Sequence, residues 1–175
     1  MFEIILPDGK KVSSERNENW LEFIKKEIGE GLAKAAVAVS INGKAVDVTS
    51  IVESGNMTVI TAKNPEGAEI IRHSTSHVMA DAVQKLFPGT KVTIGPAIEN
   101  GFYYDFDPQR PFSIEDFAAI EAEMRAIVTA GTPFTRREVS KDEAVRIFEG
   151  KGEGYKVEII REIPADAVSL YTLGD

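Results

Sequence analysis

The stretch VAVSINGKAVDV at residues 37–48 decides the fold of the N-terminal part of the chain. Apolar and small side chains lie on both sides of Asn42-Gly43, a dipeptide that accepts the positive φ angles of a tight two-residue turn. The pattern therefore predicts a β-hairpin formed by Val37–Ile41 and Lys44–Val48.

The residues on either side of this hairpin complete a small mixed domain. The other elements predicted here are a hairpin over residues 2–12 with a turn at Pro7-Asp8-Gly9-Lys10, a helix over residues 19–28, and a strand at Met57–Thr61. Gly29 and Gly31 are predicted to end the helix. The order hairpin, helix, hairpin, strand is typical of an α+β fold and is compatible with a ubiquitin-like β-grasp over residues 1–62.

A second domain is predicted to begin after the break at Asn64-Pro65-Glu66-Gly67, which divides the chain into residues 1–62 and 63–175. Its predicted elements are helices at 67–87, 114–130 and 141–149, and strands at 91–95, 102–106, 155–162 and 168–173. This is again α+β, with a long helix and antiparallel strands. Because the sequence stops directly after a strand, we expect a domain shortened at its C-terminal end.

Composition restricts the possible functions. Hydrophobic residues make up 43% of the chain, cysteine is absent, and the N-terminus carries neither a signal peptide nor a membrane-spanning pattern, which favours a cytoplasmic protein without a membrane partner. The net charge is −8, with 7 basic and 9 acidic residues in 1–62 and 13 and 19 in 63–175. A broad nucleic-acid surface is therefore not expected, and any RNA contact should involve a short stretch such as a 3′ end.

The two histidines of the protein, His73 and His77, lie four residues apart on the long predicted helix, so their rings share one face. That face is predicted to point away from the apolar stripe of the helix. Histidines on helix surfaces often have no special role, so the pair alone leaves a solvated surface and a functional site both open. A zinc site needs three or four ligands, and no metal is predicted because Ser74 replaces the glutamate of the metalloprotease pattern.

Two further features could belong to a site. Lys156 opens the strand predicted at 155–162, where it could orient a carbonyl or simply face solvent. The run Gly95-Pro96 to Tyr103-Tyr104 combines glycine, which permits close backbone approach, with two phenol hydroxyls. It could line a small polar pocket, or it could be an ordinary hairpin.

Several motifs in fixed order resemble known proteins. Those that resemble the editing domain of bacterial threonyl-tRNA synthetases are Arg72–His77, Leu86-Phe87-Pro88, Ile94-Gly95-Pro96 and Gly101–Asp105. Those that resemble the TGS domain of the same enzymes are Gly31–Ala38 and Ile41–Asp47. Tyr171, Gly174 and Asp175 resemble the approach to the family's next motif, a cysteine followed four residues later by a histidine, before which this sequence ends.

The resemblance implies an N-terminal region of a threonine–tRNA ligase, whose editing domain hydrolyses mischarged seryl-tRNA at the tRNA 3′ end without a metal. It implies catalytic roles for His73, His77 and Lys156 and substrate contacts from Gly95, Pro96, Tyr103 and Tyr104. ATP with magnesium, a catalytic-core zinc and a homodimer interface would belong to other regions of such a ligase. Without the cysteine motif, this chain is expected to be inactive alone.

Two alternatives remain open at this point. TGS domains also accompany regulatory GTPase and nucleotide-synthesising domains, so the chain could be a non-catalytic binding module. It could also be a freestanding tRNA-editing protein. The histidine pair and the strands that follow it over residues 66–106 favour an editing domain over a binding module.

Overall fold

The computed structural model describes residues 1–14 and 17–174 and divides into two compact units, Met1–Ile71 and Arg72–Asp175. Both units contain helices and strands, so the predicted α+β class is confirmed. No helix within the described ranges is long and apolar enough to cross a membrane. The last residue, Asp175, which the motif comparison includes, lies outside the described residues.

The first unit is built on one five-stranded sheet. Its elements are β1 (Phe2–Ile5), β2 (Lys11–Ser14), α1 (Trp20–Glu27), α2 (Glu30–Ala35), β3 (Ala36–Ile41), β4 (Lys44–Val46) and β5 (Gly55–Thr61). The strand order is β2-β1-β5-β3-β4, with β1 and β5 parallel and the other pairs antiparallel. Both predicted hairpins are confirmed, and Asn42 and Gly43 have the expected positive φ angles of 50° and 83°.

Helix α1 closes the core of this unit. Asn19 and Glu22 form a capping box at its start, and Trp20, Phe23 and Ile24 are fully buried against the strands. The predicted end at Gly29 is confirmed, since its φ of 143° is open only to glycine. The predicted end at Gly31 is wrong, because this residue lies inside the second short helix α2.

The second unit continues from a helix that begins in the first. Its elements are α3 (Pro65–Leu86), β6 (Lys91–Val92), β7 (Ala97–Ile98), β8 (Gly101–Phe102), β9 (Phe106–Asp107), α4 (Ile114–Ala130), β10 (Phe134–Ser140), α5 (Lys141–Gly150), α6 (Gly154–Glu162) and β11 (Ala167–Leu173). The division between the units falls within α3. Strand β6 pairs with β9, and β7 pairs with β8, so the region between α3 and α4 is a nested hairpin.

Strands β10 and β11 form a seven-residue antiparallel ladder that organises the rest of this unit. One face packs against α5 and α6 through Val139, Ala144 and Ile160. Phe134 and Leu173, paired at one end of the ladder, pack instead against the core formed by α3 and α4. The ladder therefore brings the end of the described chain close to the histidine-bearing helix.

The structure corrects one predicted element that bears on function. The segment predicted as a strand at 155–162 is the helix α6. Alternating apolar residues over so short a run fit either structure, and burial decides: Val157 and Ile160, three residues apart, are the positions that face the core. Strand β10 was not predicted at all, because most of its side chains are exposed and it lacks an alternating apolar pattern.

Candidate functional site

Helix α3 brings the two histidine rings into direct contact. The Nε2 atoms of His73 and His77 lie 3.1 Å apart, and the ring planes are nearly perpendicular at a centroid separation of 4.7 Å. A hydrogen bond between two ring nitrogens requires one donor and one acceptor, so at least one ring must be uncharged. The predicted pairing of the rings on one helix face is therefore confirmed.

His77 is the ring that stays uncharged. Its pKa is lowered from 6.5 to about 4, first by burial and then by the nearby His73 and Lys156. His73, by contrast, is exposed. The expectation that both rings point away from the packed surface thus holds for His73 and is wrong for His77, which is half-buried.

Two aromatic side chains from the β10–β11 ladder account for the burial of His77. The ring of Phe134 approaches it edge-on at 6.4 Å, and the ring of Tyr171 lies nearly parallel to it at 6.5 Å. Apolar walls of this kind make protonation of an imidazole unfavourable because the charged form loses its hydration. His77 is therefore held as a neutral base beside the ladder.

A cavity of about 120 Å³ opens beside His77. Its lining side chains are those of His77, Ala80, Asp81, Gln84, Val92, Tyr104, Phe134, Lys156, Tyr171, Thr172 and Leu173. This volume is well above the roughly 10–15 Å³ that one water requires. The cavity can therefore admit a small polar group together with a water molecule.

Lys156 reaches this cavity from the first turn of helix α6. Its ammonium lies 5.2 Å from the centroid of the Phe148 ring, a favourable position for a cation. Burial lowers the pKa of Lys156, Glu153 raises it and Lys151 lowers it. A partly desolvated cation and a neutral imidazole thus line the same cavity.

The segment at Gly95 packs behind Tyr104, one of the residues that line the cavity. A Cβ atom on Gly95 would lie only 2.0 Å from Cδ2 of Tyr104, so the tyrosine ring occupies the space that any other side chain would need. The buried hydroxyl of Ser76 bonds to the carbonyl oxygen of Gly95 at 3.0 Å and to that of His73 at 2.8 Å. The pKa of Tyr104 is raised by burial and by Glu153, which keeps its hydroxyl protonated.

The structure thus brings together most of the candidate residues. His77, Tyr104 and Lys156 line one cavity, with His73 bonded to His77 and Gly95 packed behind Tyr104. Pro96 and Tyr103 are not part of the lining.

Other residues of the cavity were not predicted from the sequence. A signal existed for Asp81 and Gln84, because they recur on the histidine face of α3 at positions four and seven residues after His77. No comparable signal exists for Phe134 and Tyr171, whose position depends on the unpredicted pairing of β10 with β11.

Within residues 1–14 and 17–174, no three His, Cys, Asp or Glu side chains cluster closely enough to hold a metal ion.

Comparison with known proteins identifies relatives of the chain. No family model matches it. Three curated relatives are named threonine–tRNA ligase. The protein from Nitratidesulfovibrio vulgaris strain Miyazaki F is 61% identical over 81% of this chain. Those from Magnetococcus marinus and Myxococcus xanthus are 52% and 48% identical, each over 100% of this chain. The chain spans only 22%, 27% and 28% of the length of these relatives, respectively. The resemblance to threonine–tRNA ligases is confirmed, and the chain is homologous to one region of these proteins.

Proposed function

We propose that this chain is the N-terminal region of a threonine–tRNA ligase, with a TGS domain over residues 1–62 and most of an editing domain over residues 63–175. The editing domain would hydrolyse the ester of mischarged seryl-tRNA. Similarity to threonine–tRNA ligases along the chain supports this assignment. The sheet order of the first unit, with one helix packed across it, is compatible with the β-grasp of a TGS domain.

The observation that carries the proposal is the neutral His77 beside a cavity that also contains Lys156. A neutral imidazole can accept a proton from an attacking water, which typically contributes about 10²–10⁴-fold to a rate. The hydrogen bond between the two rings gives His73 the means to orient His77 or to take part in handling the water. The ammonium of Lys156 would stabilise negative charge on the ester oxygen, an effect of about 10²–10³-fold.

The proposed hydrolysis would help the ligase to discriminate between threonine and serine. Serine lacks only one methyl group of threonine, and a binding pocket gains about 1–3 kcal/mol from such a group. A ligase that activates threonine therefore benefits from a second, smaller site that removes serine. A cavity of about 120 Å³ with several polar side chains is suited to a small hydroxylated amino acid.

The acidic character of the chain limits how it would contact tRNA. A net charge of −8 is unfavourable for gripping a long phosphate backbone. The editing site would need only the aminoacylated 3′ end, while the main tRNA contacts, ATP with magnesium, the zinc and the homodimer interface would lie elsewhere in the ligase. Such an enzyme would act in the cytoplasm, where the charged tRNA is used.

Single-turnover hydrolysis of seryl-tRNA by a complete ligase carrying this sequence tests the proposal. His73→Ala should slow hydrolysis more than 100-fold, and because His73 is exposed, the substitution should change stability by no more than about 0.5 kcal/mol. Glu69→Ala is the matched control, since Glu69 is exposed one turn earlier on the same helix. It should leave both hydrolysis and the thermal melt unchanged.

Three outcomes would contradict parts of this proposal. Normal hydrolysis by the His73→Ala ligase would remove this residue from the mechanism. No hydrolysis by the unmodified ligase would favour a non-catalytic binding module. Rapid hydrolysis by the 175-residue chain alone would favour a freestanding editing protein.

A further inference from the structure

The side chain of Glu153 connects three elements around the cavity. One carboxylate oxygen accepts a hydrogen bond of 2.7 Å from the Gln84 side chain on α3. The other accepts a bond of 3.3 Å from the backbone N–H of Val92 in β6. The residue itself stands at the start of α6, three positions before Lys156.

This use of Glu153 differs from that of an ordinary helix cap. A shorter acidic side chain, aspartate, at this position commonly accepts a bond from its own helix, which satisfies a free backbone N–H. Here the side chain makes no such bond and reaches across to α3 and β6 instead. The contact that would stabilise the start of α6 locally is replaced by contacts that fix its position relative to the other two elements.

We propose that Glu153 is a positioning residue of the site, which holds the first turn of α6 against α3 so that Lys156 faces His77, and whose negative charge balances the Lys156 ammonium. This inference rests on the proposed hydrolysis of seryl-tRNA. It assigns Glu153 no contact with the substrate. Its effect would be exerted through Lys156.

The electrostatic surroundings of Lys156 support this role. The ionisable groups around it are Glu153 at the start of its own helix, Lys151 in the preceding turn, His77 and Asp81 on α3, Tyr104 in the hairpin region and Tyr171 in β11. Burial lowers the pKa of Lys156, and Glu153 opposes this effect. Removal of the Glu153 charge should therefore lower the pKa of Lys156 further, so that the charged form is lost at a lower pH.

Glu153→Gln tests the contribution of the charge. Titration of the Lys156 side chain by carbon-13 NMR, in this chain labelled at lysine, should show a midpoint at lower pH than in the unmodified protein. In the complete ligase, the alkaline limb of single-turnover hydrolysis should move in the same direction. Glu162→Gln is the matched control because it removes one exposed carboxylate at the far end of the same helix, and it should shift neither quantity.

Glu153→Asp tests the reach of the side chain and serves if Glu153→Gln does not fold. It retains the charge but is one methylene shorter, so it cannot bond to both Gln84 and Val92 without movement of α6. We expect hydrolysis about tenfold slower, equivalent to about 1.4 kcal/mol of activation energy, with the alkaline limb in its normal position. Hydrolysis at the normal rate would overturn the positioning role.

The measurements also separate this inference from the proposed function. If the unmodified ligase fails to hydrolyse seryl-tRNA while Glu153→Gln still shifts the Lys156 midpoint, the proposed function is wrong and the link between Glu153 and Lys156 stands. If hydrolysis occurs but Glu153→Gln changes neither midpoint nor pH profile, or Glu162→Gln changes them equally, the inference is wrong.

Discussion

Replacement of Gly95 by alanine would test whether the close contact with Tyr104 shapes the cavity. The added Cβ would lie 2.0 Å from Cδ2 and 2.4 Å from Cε2 of the tyrosine ring. Carbon atoms in ordinary contact are about 3.5–4.0 Å apart, so the ring or the Gly95 segment must move by about 1.5 Å. Gly95 is not among the residues with positive φ, and the perturbation is therefore steric rather than conformational.

Neither partner in this contact can move easily. Tyr104 stacks on Phe106 at a centroid distance of 4.9 Å, and the Gly95 carbonyl is bonded to the buried Ser76 hydroxyl. Overpacking of this kind costs about 1–3 kcal/mol. Alanine recovers about 0.4–1 kcal/mol by restricting the unfolded chain, so we expect Gly95→Ala to lower the free energy of unfolding by about 1–2 kcal/mol.

Gly101→Ala provides the matched control. It lies in the same hairpin region, its φ is also not positive, and a Cβ there would meet no atom within 4 Å. Denaturant unfolding followed by circular dichroism should show a loss for Gly95→Ala, whereas Gly101→Ala should keep the stability of the unmodified protein or gain up to about 1 kcal/mol. Because Tyr104 lines the cavity, Gly95→Ala should also slow seryl-tRNA hydrolysis. Equal stabilities and rates for the two variants would refute the steric argument.

Two other predictions concern ionisation and backbone conformation. NMR titration of His77 should give a midpoint of about 4. Because this folded pKa lies below the unfolded value near 6.5, the stability of the protein should fall as the pH is lowered from about 6.5 to 4. Lys156→Met should raise the midpoint of His77 by removing a neighbouring positive charge. A midpoint near 6.5 in the unmodified protein would contradict the burial of His77. Gly43→Ala should destabilise the first unit by about 1 kcal/mol because its φ is 83°. Gly31→Ala, inside α2, should instead stabilise this unit by about 0.5–1 kcal/mol. Unfolding monitored by the fluorescence of Trp20 measures both stabilities, and the opposite order of the two variants would contradict the prediction.

The first unit could be predicted largely from local sequence signals. Asn42-Gly43 determines its turn by backbone geometry alone, and the capping residues Asn19 and Glu22 mark the start of α1. Such signals act between residues that are close in sequence, so no knowledge of the tertiary structure is needed. The second strand of the hairpin ends earlier than predicted, at Val46, because Asp47 accepts hydrogen bonds from Thr49 and forms a turn.

In the second unit the candidate site residues could be predicted from the sequence more readily than the elements and contacts that surround them. The spacing of His73 and His77 predicts that their rings share one helix face, and the structure adds that the rings are in contact. Lys156 was identified as a candidate on the wrong element, and its place in the cavity follows from the packing of α6. The contacts of Glu153 with Gln84 and Val92 join residues more than sixty positions apart, which no local pattern reveals.

The uncharged state of His77 depends on the register of a ladder remote from it in sequence. Phe134 pairs with Leu173 and Arg136 with Tyr171, so Phe134 and Tyr171 are diagonal neighbours on one face of the ladder. A shift of one residue would turn Tyr171 to the opposite face, because side chains alternate along a strand. The ring beside His77 would then be lost, and its pKa would rise towards the ordinary value. The base proposed for hydrolysis is thus made by α3 but kept neutral by the pairing of β10 with β11.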